Sequence, residues 1–316
     1  MPKLRQIPLF PDQPEKVEDL HSGTPLRYTL ALFQQHLARE GKSEHTITAF
    51  TSDLQLLAEH SGEDTPIGQF TTTGLNEFLD WLEHGRGVPC SRKSYARRVT
   101  TLKVYFKWLH TVGAIPHDPA RATLQRSGPA PLATILSPGD VRSALDYAAS
   151  LNRGEKPDVR PLLLLRLLLD TGIKKGETAA LKLDHIDRSD PQNPLLLVRH
   201  RVHNVYKDRR IALPADWLLL LDEYLKQYKP KDTVFTCTPR NLEYILEAIS
   251  SGAELPTKIS FEMLRWTCAV RDYRAGMEPE LIRDKLGLSD ASWQETFAKI
   301  KRLTELQTAG EARAAE

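Results

Sequence analysis

The chain has 316 residues, 27% of them charged, and its formal net charge of +2 excludes the strongly basic composition of a histone-like binder. This length is enough for two domains of ordinary size. The three cysteines, Cys90, Cys237 and Cys268, are too scattered for a disulfide framework, which favours a reducing cytosol. The longest apolar run, 161–169, is far shorter than the roughly 20 residues of a membrane helix, and no signal peptide is expected.

The first part of the chain predicts a tail followed by four helices. Residues 1–22 combine four prolines with charged and polar residues, which is typical of a flexible tail. Apolar residues then recur at helical spacing from Leu26 onward, and Ser43 offers an N-cap to the second helix. The predicted helices are 26–39, 44–60, 73–83 and 91–110.

The second part of the chain predicts more helices and one short β segment. Residues 123–136 lose the apolar period and contain Gly128-Pro129-Ala130-Pro131, which indicates an interdomain linker. Ser137 and Pro138 are expected to begin a helix as its cap and first residue. The predicted helices are 138–151, 159–170, 175–181, 215–228, 239–250, 260–275, 278–286 and 290–307. Two β-prone runs, 195–199 and 209–213, flank a polar turn and predict a small antiparallel sheet.

The order and spacing of several motifs resemble the tyrosine recombinase, or phage integrase, family, in particular its Xer-like members. The motifs are Ser43-x-x-Thr46 with Asp53-Leu54, Thr171–Glu177, Lys207–Leu213, Glu262–Arg265 and Leu286–Phe297. The resemblance implies a mainly α fold. It implies a helical, SAM-like core-binding domain at 23–122 and an α+β catalytic-like domain with a small antiparallel sheet at 137–303. Residues 304–316 are assigned to a C-terminal tail.

The resemblance also implies six catalytic positions, of which only the second arginine, Arg265, is retained by identity. Phe297 occupies the position of the nucleophilic tyrosine, and its phenyl ring has no oxygen to attack a phosphate. Lys174 occupies the first arginine position and keeps the charge without the planar fork. The degenerate set is Lys174, Asn204 (or Lys207) for the hairpin lysine, Glu262 and Leu288 for the two histidine-type positions, Arg265 and Phe297.

Two alternatives stay open at these positions. A displaced nucleophile would come from a nearby hydroxyl, for which Tyr273, Ser292 and Thr296 are candidates. Arg265 could instead be an ion-pair partner of Glu262, three residues earlier on one helix. The tryptophans Trp266 and Trp293 are interpreted as core residues rather than as platforms for nucleic-acid bases.

Basic residues predict two DNA-binding surfaces. No acidic residue occurs between Glu83 and Asp118, and the helix 91–110 places its basic residues off its apolar stripe. A solvated charged face is the alternative. A second basic set lies in the catalytic-like domain. The predicted DNA-binding residues are Arg92, Lys93, Arg97, Lys103, Lys107, Lys174, Lys207, Arg209, Arg210 and Arg265.

The N-terminal tail contains a short motif that resembles a sliding-clamp docking peptide of bacterial proteins. Its residues are Gln6, Ile7, Leu9 and Phe10. Two apolar anchors on an unfolded segment suit a preformed groove. An ordinary proline-rich tail is the alternative.

Together these features predict a non-catalytic DNA-binding protein that clamps duplex DNA in an architectural or regulatory role. We expect a homodimer on DNA in the cytoplasm, associated with the nucleoid, without cofactor, metal or membrane contact. One alternative is an active site-specific recombinase with a displaced nucleophile. The other is a protein-interaction module that has lost DNA binding.

Overall fold

A computed structural model describes residues 14–123, 132–153, 155–199, 201–202, 205–206 and 208–315. The chain divides into two compact units, 1–129 and 130–316. Within the described ranges helices dominate both units, and the strands lie in the second. Most of the predicted linker and the predicted N-terminal tail up to residue 13 lie outside these ranges.

The first unit is built from four α-helices. They are α1 (Leu26–Arg39), α2 (Glu44–Ser61), α3 (Thr72–Asp80) and α4 (Arg92–Thr111). The predicted helices are confirmed, with one change of geometry. The end of the predicted helix 73–83 is a π-helical turn, Trp81–Gly85, in which the Arg86 N–H bonds the Trp81 carbonyl at 2.9 Å.

Local sequence signals explain the start and the buried face of these helices. The Ser43 hydroxyl accepts a hydrogen bond from the Thr46 N–H at 3.2 Å, as its N-cap position predicts. On α4 the predicted apolar stripe is buried in the core of the unit. Its members are Tyr95, Val99, Leu102, Phe106 and Leu109.

The second unit contains eight further α-helices in the described ranges. They are α5 (Pro138–Ser150), α6 (Arg160–Thr171), α7 (Lys175–Ala179), α8 (Trp217–Tyr228), α9 (Pro239–Gly252), α10 (Phe261–Arg274), α11 (Pro279–Leu286) and α12 (Asp290–Ala315). Ser137 caps α5 by accepting from the Asp140 N–H at 3.1 Å, and Pro138 occupies the first turn, both as predicted. The fold class expected from the sequence is confirmed.

The predicted antiparallel pair is also confirmed. Strand β2 (Leu195–Val198) pairs with β5 (Arg209–Ala212), and β1 (Ile186–Asp187) completes a three-stranded sheet on the other side of β2. Strands β3 (Arg201–Val202) and β4 (Val205–Tyr206) form a separate two-stranded pair. Strand β1 was not predicted because two residues after a helical turn give no period to recognise.

Helix α6 is buried on most of its circumference and organises the second unit. Its leucines at 163–165 and 167–169 are at most 2% exposed, so it packs among α5, α8 and α10. It ends at Gly172, whose φ of +59° lies in the left-handed region. A Cβ atom added to this glycine would lie only 3.0 Å from a Leu286 methyl group. The end of α6 therefore lies directly against the end of α11. No helix in the described part of the chain is long and apolar enough to cross a membrane.

Helix α12 continues to Ala315, beyond its predicted end at 307 and through the predicted C-terminal tail. Gln307 donates to the Leu136 carbonyl at 3.1 Å, and Arg274 donates to both Glu311 carboxylate oxygens at 2.7 Å. These bonds hold the last turns against α10 and the segment before α5. The Ala- and Glu-rich composition of these turns also favours a helix.

Candidate functional site

An open cleft of about 730 Å³ lies in the second unit between β5, the start of α7 and the turn from α11 to α12. Its described lining residues are Lys174, Glu177, Asp208, Arg209, Arg210, Ile211, Ala212, Met277, Leu281, Asp284, Lys285, Gly287, Leu288 and Ser289. Four of the predicted site residues, Lys174, Arg209, Arg210 and Leu288, therefore meet at one surface. Sequence motifs far apart in the chain converge here because α6, α10 and α11 pack together.

Arg265 holds the two loops of this cleft together from behind. It projects from α10 and donates to the Gly172 carbonyl and the Leu286 carbonyl, each at 2.5 Å. Burial, with the nearby Arg209 charge, lowers the pKa of its guanidinium to about 10 although the Glu177 carboxylate opposes this shift. The alternative ion pair with Glu262 is wrong, because Arg265 turns toward these carbonyls and Glu262 is exposed in the first turn of α10.

Lys174 lies at the start of α7, two residues after the Gly172 carbonyl that Arg265 bonds. Burial of its side chain and the charges of Arg265 and Arg209 lower the pKa of the ammonium group, against the opposing charge of Glu177. The positive charges of Lys174, Arg209 and Arg265 thus repel one another, and a bound anion would relieve this repulsion. The position that the family resemblance gives to the first arginine therefore still supplies positive charge to the cleft.

Glu177 and Arg209 form a nearly buried ion pair beside Lys174. Arg209 donates to both carboxylate oxygens at 2.9 and 2.8 Å, and to the Lys285 carbonyl at 2.9 Å. Burial alone would raise the pKa of Glu177, but the bonds from Arg209 and from the Lys174 N–H outweigh it and lower that pKa. The structure thus places Arg209, a predicted DNA contact, in an internal salt bridge.

Gly287 allows Arg209 to pack against the turn between α11 and α12. Its φ is +61°, and a Cβ at this position would lie 2.9 Å from Arg209 Nη1. A larger residue would be strained and would push the guanidinium away from Glu177. This glycine is therefore a requirement of the cleft as well as of the helix end.

Phe297 belongs to an apolar cluster and does not line the cleft. Its ring stacks on Trp293 at a centroid distance of 5.2 Å and meets Tyr273 edge-on at 5.6 Å. Leu288 and Trp266 pack against the same cluster. The prediction that Trp266 and Trp293 serve as core residues is confirmed.

The candidate hydroxyl groups differ in their surroundings. Thr296 donates to the Ser292 carbonyl at 2.8 Å, and Tyr273 packs on Phe297. Ser289, which the sequence analysis did not select, lines the cleft. Its signal in the sequence was only its place directly after Leu288, because the approach of Lys174 and Arg265 to this turn is a tertiary feature.

The basic residues of α4 fall into two groups. Arg97 pairs with the buried Asp53 carboxylate at 2.9 Å and donates to the Ala49 carbonyl at 3.1 Å, so it is a structural residue at least in part. Arg98 lies 3.5 Å from the same carboxylate, whose pKa is raised by burial despite the opposing bond from Thr101 and the two arginine charges. By contrast, the predicted contacts Arg92, Lys93 and Lys107 are exposed and Lys103 is half-buried.

Several predicted residues lie outside the described ranges. They are Asn204, Lys207, Gln6, Ile7, Leu9 and Phe10. Arg210 is exposed on β5 and lines the cleft. In the part of the chain that the structure describes, no three His, Cys, Asp or Glu side chains converge as metal ligands would.

The fold and this cleft define a two-unit protein with a SAM-like helical unit and an integrase-type catalytic unit. Residues 30–113 match the profile of the phage integrase N-terminal SAM-like domain, and residues 135–301 match that of the phage integrase family. The chain therefore belongs to the phage integrase family, as the motif resemblance indicated.

Named relatives are tyrosine recombinases. The chain is 31% identical over 162 residues to tyrosine recombinase XerC of Mycobacterium sp. (strain KMS), covering 51% of this chain and 54% of that protein. It thus spans about half the length of this relative. It is 23% identical over 283 residues to tyrosine recombinase XerD of Listeria innocua, covering 84% and 92% of the two chains.

Solved structures share the fold at low identity. A lambda integrase tetramer bound to a Holliday junction has a TM-score of 0.68 at 18% identity and covers 87% of this chain and 77% of that one. The XerH site-specific recombinase bound to a palindromic difH substrate, a post-cleavage complex, also has a TM-score of 0.68 at 18% identity, with 94% and 93% covered.

These comparisons correct the main functional expectation from the sequence. The prediction of a non-catalytic DNA clamp is contradicted, because the relatives are named as tyrosine recombinases and the family is enzymatic. The alternative of a recombinase with a displaced nucleophile is better supported.

Proposed function

We propose that this protein is a site-specific DNA recombinase whose nucleophile is displaced from position 297. The observation that carries the proposal is that Arg265 bonds the Gly172 and Leu286 carbonyls and so joins the two segments that form the cleft, one leading to Lys174 and the other to Ser289. Membership of an enzymatic family and the named recombinase relatives support it.

The cleft suits the chemistry of phosphodiester transfer. The two carbonyl bonds use two of the five N–H donors of Arg265, which leaves three for the oxygens of a phosphate. Lys174 adds a second positive charge where negative charge develops in the transition state. Because its pKa is lowered, its ammonium group is also a better proton donor to a leaving alkoxide than an ordinary lysine.

The proposed substrate is duplex DNA, which a homodimer of this protein binds. The proposed location is the cytoplasm, in association with the nucleoid. Structures with a similar fold include a lambda integrase dimer bound to a core site and the XerH recombinase bound to a palindromic difH substrate. The exposed residues Lys93 and Lys107 on α4 and Arg210 beside the cleft are candidates for phosphate contacts. Docking of Gln6, Ile7, Leu9 and Phe10 on a sliding clamp stays a prediction.

A covalent-capture experiment tests this function. The full chain is incubated with a library of nicked duplexes that carry a randomised central stretch, and protein–DNA adducts are counted after denaturation in detergent. We expect adducts with the natural chain and none with Arg265→Gln, whereas Arg240→Gln changes an exposed arginine of the same unit and keeps them. No adduct from the natural chain with any library member would reject the recombinase. If the same duplexes were also not retained in a low-salt gel shift, the protein-interaction alternative would be favoured.

A further inference from the structure

We propose that the hydroxyl of Ser289 is the nucleophile, an inference that rests on the proposed recombinase function and names the reacting group. Among the described residues that line the cleft, Ser289 is the one with a hydroxyl side chain. Lys174 lines the same cleft, so a phosphate bound by that ammonium group lies within the space that Ser289 faces.

The position of Ser289 is fixed by the residue that would bind the phosphate. Arg265 donates to the carbonyl of Leu286, and Ser289 follows three residues later, after the left-handed turn at Gly287. The same guanidinium donates to the Gly172 carbonyl, two residues before Lys174. One arginine therefore sets the separation between the segment that carries the hydroxyl and the segment that carries the lysine.

Other hydroxyl groups near position 297 are placed less well. Tyr273 is eight residues beyond Arg265 on α10, which is about 12 Å along the helix axis, and its ring packs on Phe297. Thr296 donates its proton to the Ser292 carbonyl at 2.8 Å. Ser292 is one turn further along α12, and it is not among the residues that line the cleft.

The Ser289 hydroxyl is held only weakly. It is exposed, its bond to the Ser292 hydroxyl is 3.1 Å long, and the bond that it accepts from the Ser292 N–H is 3.4 Å long. Rotation of the side chain into the cleft therefore loses little hydrogen-bond energy. Ordered, buried hydroxyls such as that of Thr29, which bonds Tyr105 at 2.5 Å, have no such freedom.

The proposed step balances as a simple transesterification. Ser289 Oγ forms a bond to phosphorus, and the bond from phosphorus to the bridging oxygen of the leaving strand breaks. The serine proton passes to water in the open cleft, and the leaving oxygen takes a proton from the Lys174 ammonium group. The product is a phosphoserine ester on one DNA strand and a free hydroxyl on the other, with no change in oxidation state.

Peptide mapping of the adduct tests the assignment. The full chain is trapped on the nicked-duplex library described above, digested with nuclease and protease, and the peptide that carries the residual nucleotide is identified by mass spectrometry. We expect the mass to lie on Ser289. A nucleotide on Tyr273 or another residue would overturn the assignment and leave the recombinase supported. The absence of any adduct from the natural chain would instead overturn the recombinase itself, and the Ser289 assignment with it.

Matched variants complete the test. Ser289→Ala should lower adduct yield more than about a thousand-fold, or to the detection limit, because loss of a nucleophile stops the covalent route. Ser289→Thr should keep a measurable yield because it retains the hydroxyl, and Ser292→Ala, three residues away and also exposed, should keep the natural yield. Each variant is first compared with the natural chain for retention of mixed-sequence duplex in a gel shift, so that loss of folding is recognised. Undiminished adduct with a folded Ser289→Ala would overturn the proposal.

Discussion

The Glu177 carboxylate accepts two hydrogen bonds from Arg209 and one from the Lys174 N–H at 2.8 Å. Its negative charge lowers the electrostatic cost of Lys174 and Arg265 lying close to Arg209. Its side chain is 8% exposed and that of Arg209 is 13% exposed, so solvent screens the pair weakly. Loss of the carboxylate charge should therefore affect the whole cleft.

Glu177→Gln should destabilise the second unit by about 3 kcal/mol at neutral pH, because it leaves Arg209 buried without a counter-charge. The pKa of Glu177 is lower in the folded chain than its value near 4.5 in the unfolded chain. The carboxylate therefore stabilises the fold fully above pH 4.5, and this stabilisation is lost as the pH falls through the folded pKa. The difference between natural and variant chains should thus be largest above pH 5 and shrink below about pH 4.5.

Hydrogen exchange of α10 peptides, measured from pH 7 downward with the intrinsic pH effect removed, checks this prediction. Glu295→Gln is a control because its bond to Lys299 lies at the surface. If the difference in hydrogen exchange between the natural chain and Glu177→Gln is the same at every pH, the proposed role of the carboxylate charge is contradicted.

At the scale of secondary-structure elements, α12 joins the candidate site to the end of the chain. It begins directly after Ser289, buries Trp293, Ile300 and Leu303, and reaches Ala315. Its last turns have few buried apolar residues, so hydrogen bonds from Arg274 to Glu311 and from Gln307 to the Leu136 carbonyl hold them. The start of the helix is therefore fixed by packing and its end by polar contacts.

Glu311→Gln should increase hydrogen exchange in the last two turns of α12 several-fold and leave the unfolding midpoint of the protein unchanged. The reason is that a partly exposed ion pair contributes little to global stability but much to the resistance of a helix end against local fraying. Exchange of C-terminal peptides measured by mass spectrometry checks this. Glu305→Gln, whose Arg302 partner is 61% exposed, is the matched control, and an equal effect of both variants would contradict the prediction.

The helices and caps were predictable from the sequence because their causes are local. Ser43 and Ser137 each cap a helix whose first N–H groups lie three residues away, and the stripe on α4 follows from helical spacing. The sequence could not show that α12 continues to Ala315, because the bonds that hold its end come from Arg274 and Leu136. Strand β1 was missed for a similar reason, because its two residues form a strand only through their pairing with β2.

The site was predictable only in part. Motif spacing identified Lys174, Arg265 and Phe297 as related positions, but the partners of each group depend on tertiary packing. A helical wheel places Arg97 off the apolar stripe of α4, yet it does not show that Asp53 on α2 lies opposite. Likewise, no local pattern indicates that Ser289 and Lys174 line the same cleft.

At the scale of the whole molecule, a net charge of +2 conceals an uneven distribution of charge along the chain. The segment between Glu83 and Asp118 has no acidic residue, whereas the arginines nearest Asp53 are neutralised by it. DNA affinity should therefore depend on those basic residues that are exposed, and it should fall steeply with salt because each phosphate contact releases counterions.

Lys107→Gln and Arg97→Gln should separate binding from stability. Lys107 is exposed on α4, so its loss should weaken binding to mixed-sequence duplex and reduce the slope of log affinity against log salt by about 0.9, the value for one phosphate contact. Arg97→Gln should instead destabilise the first unit, because Asp53 is 3% exposed and would lose its closest positive charge, at 2.9 Å. Fluorescence anisotropy at several salt concentrations, combined with hydrogen exchange of α2 peptides, distinguishes the two effects. If Lys107→Gln leaves the salt slope unchanged, this face of α4 is a solvated surface that does not contact DNA. If Arg97→Gln changes the salt slope while the first unit stays fully stable, Arg97 leaves Asp53 to contact DNA.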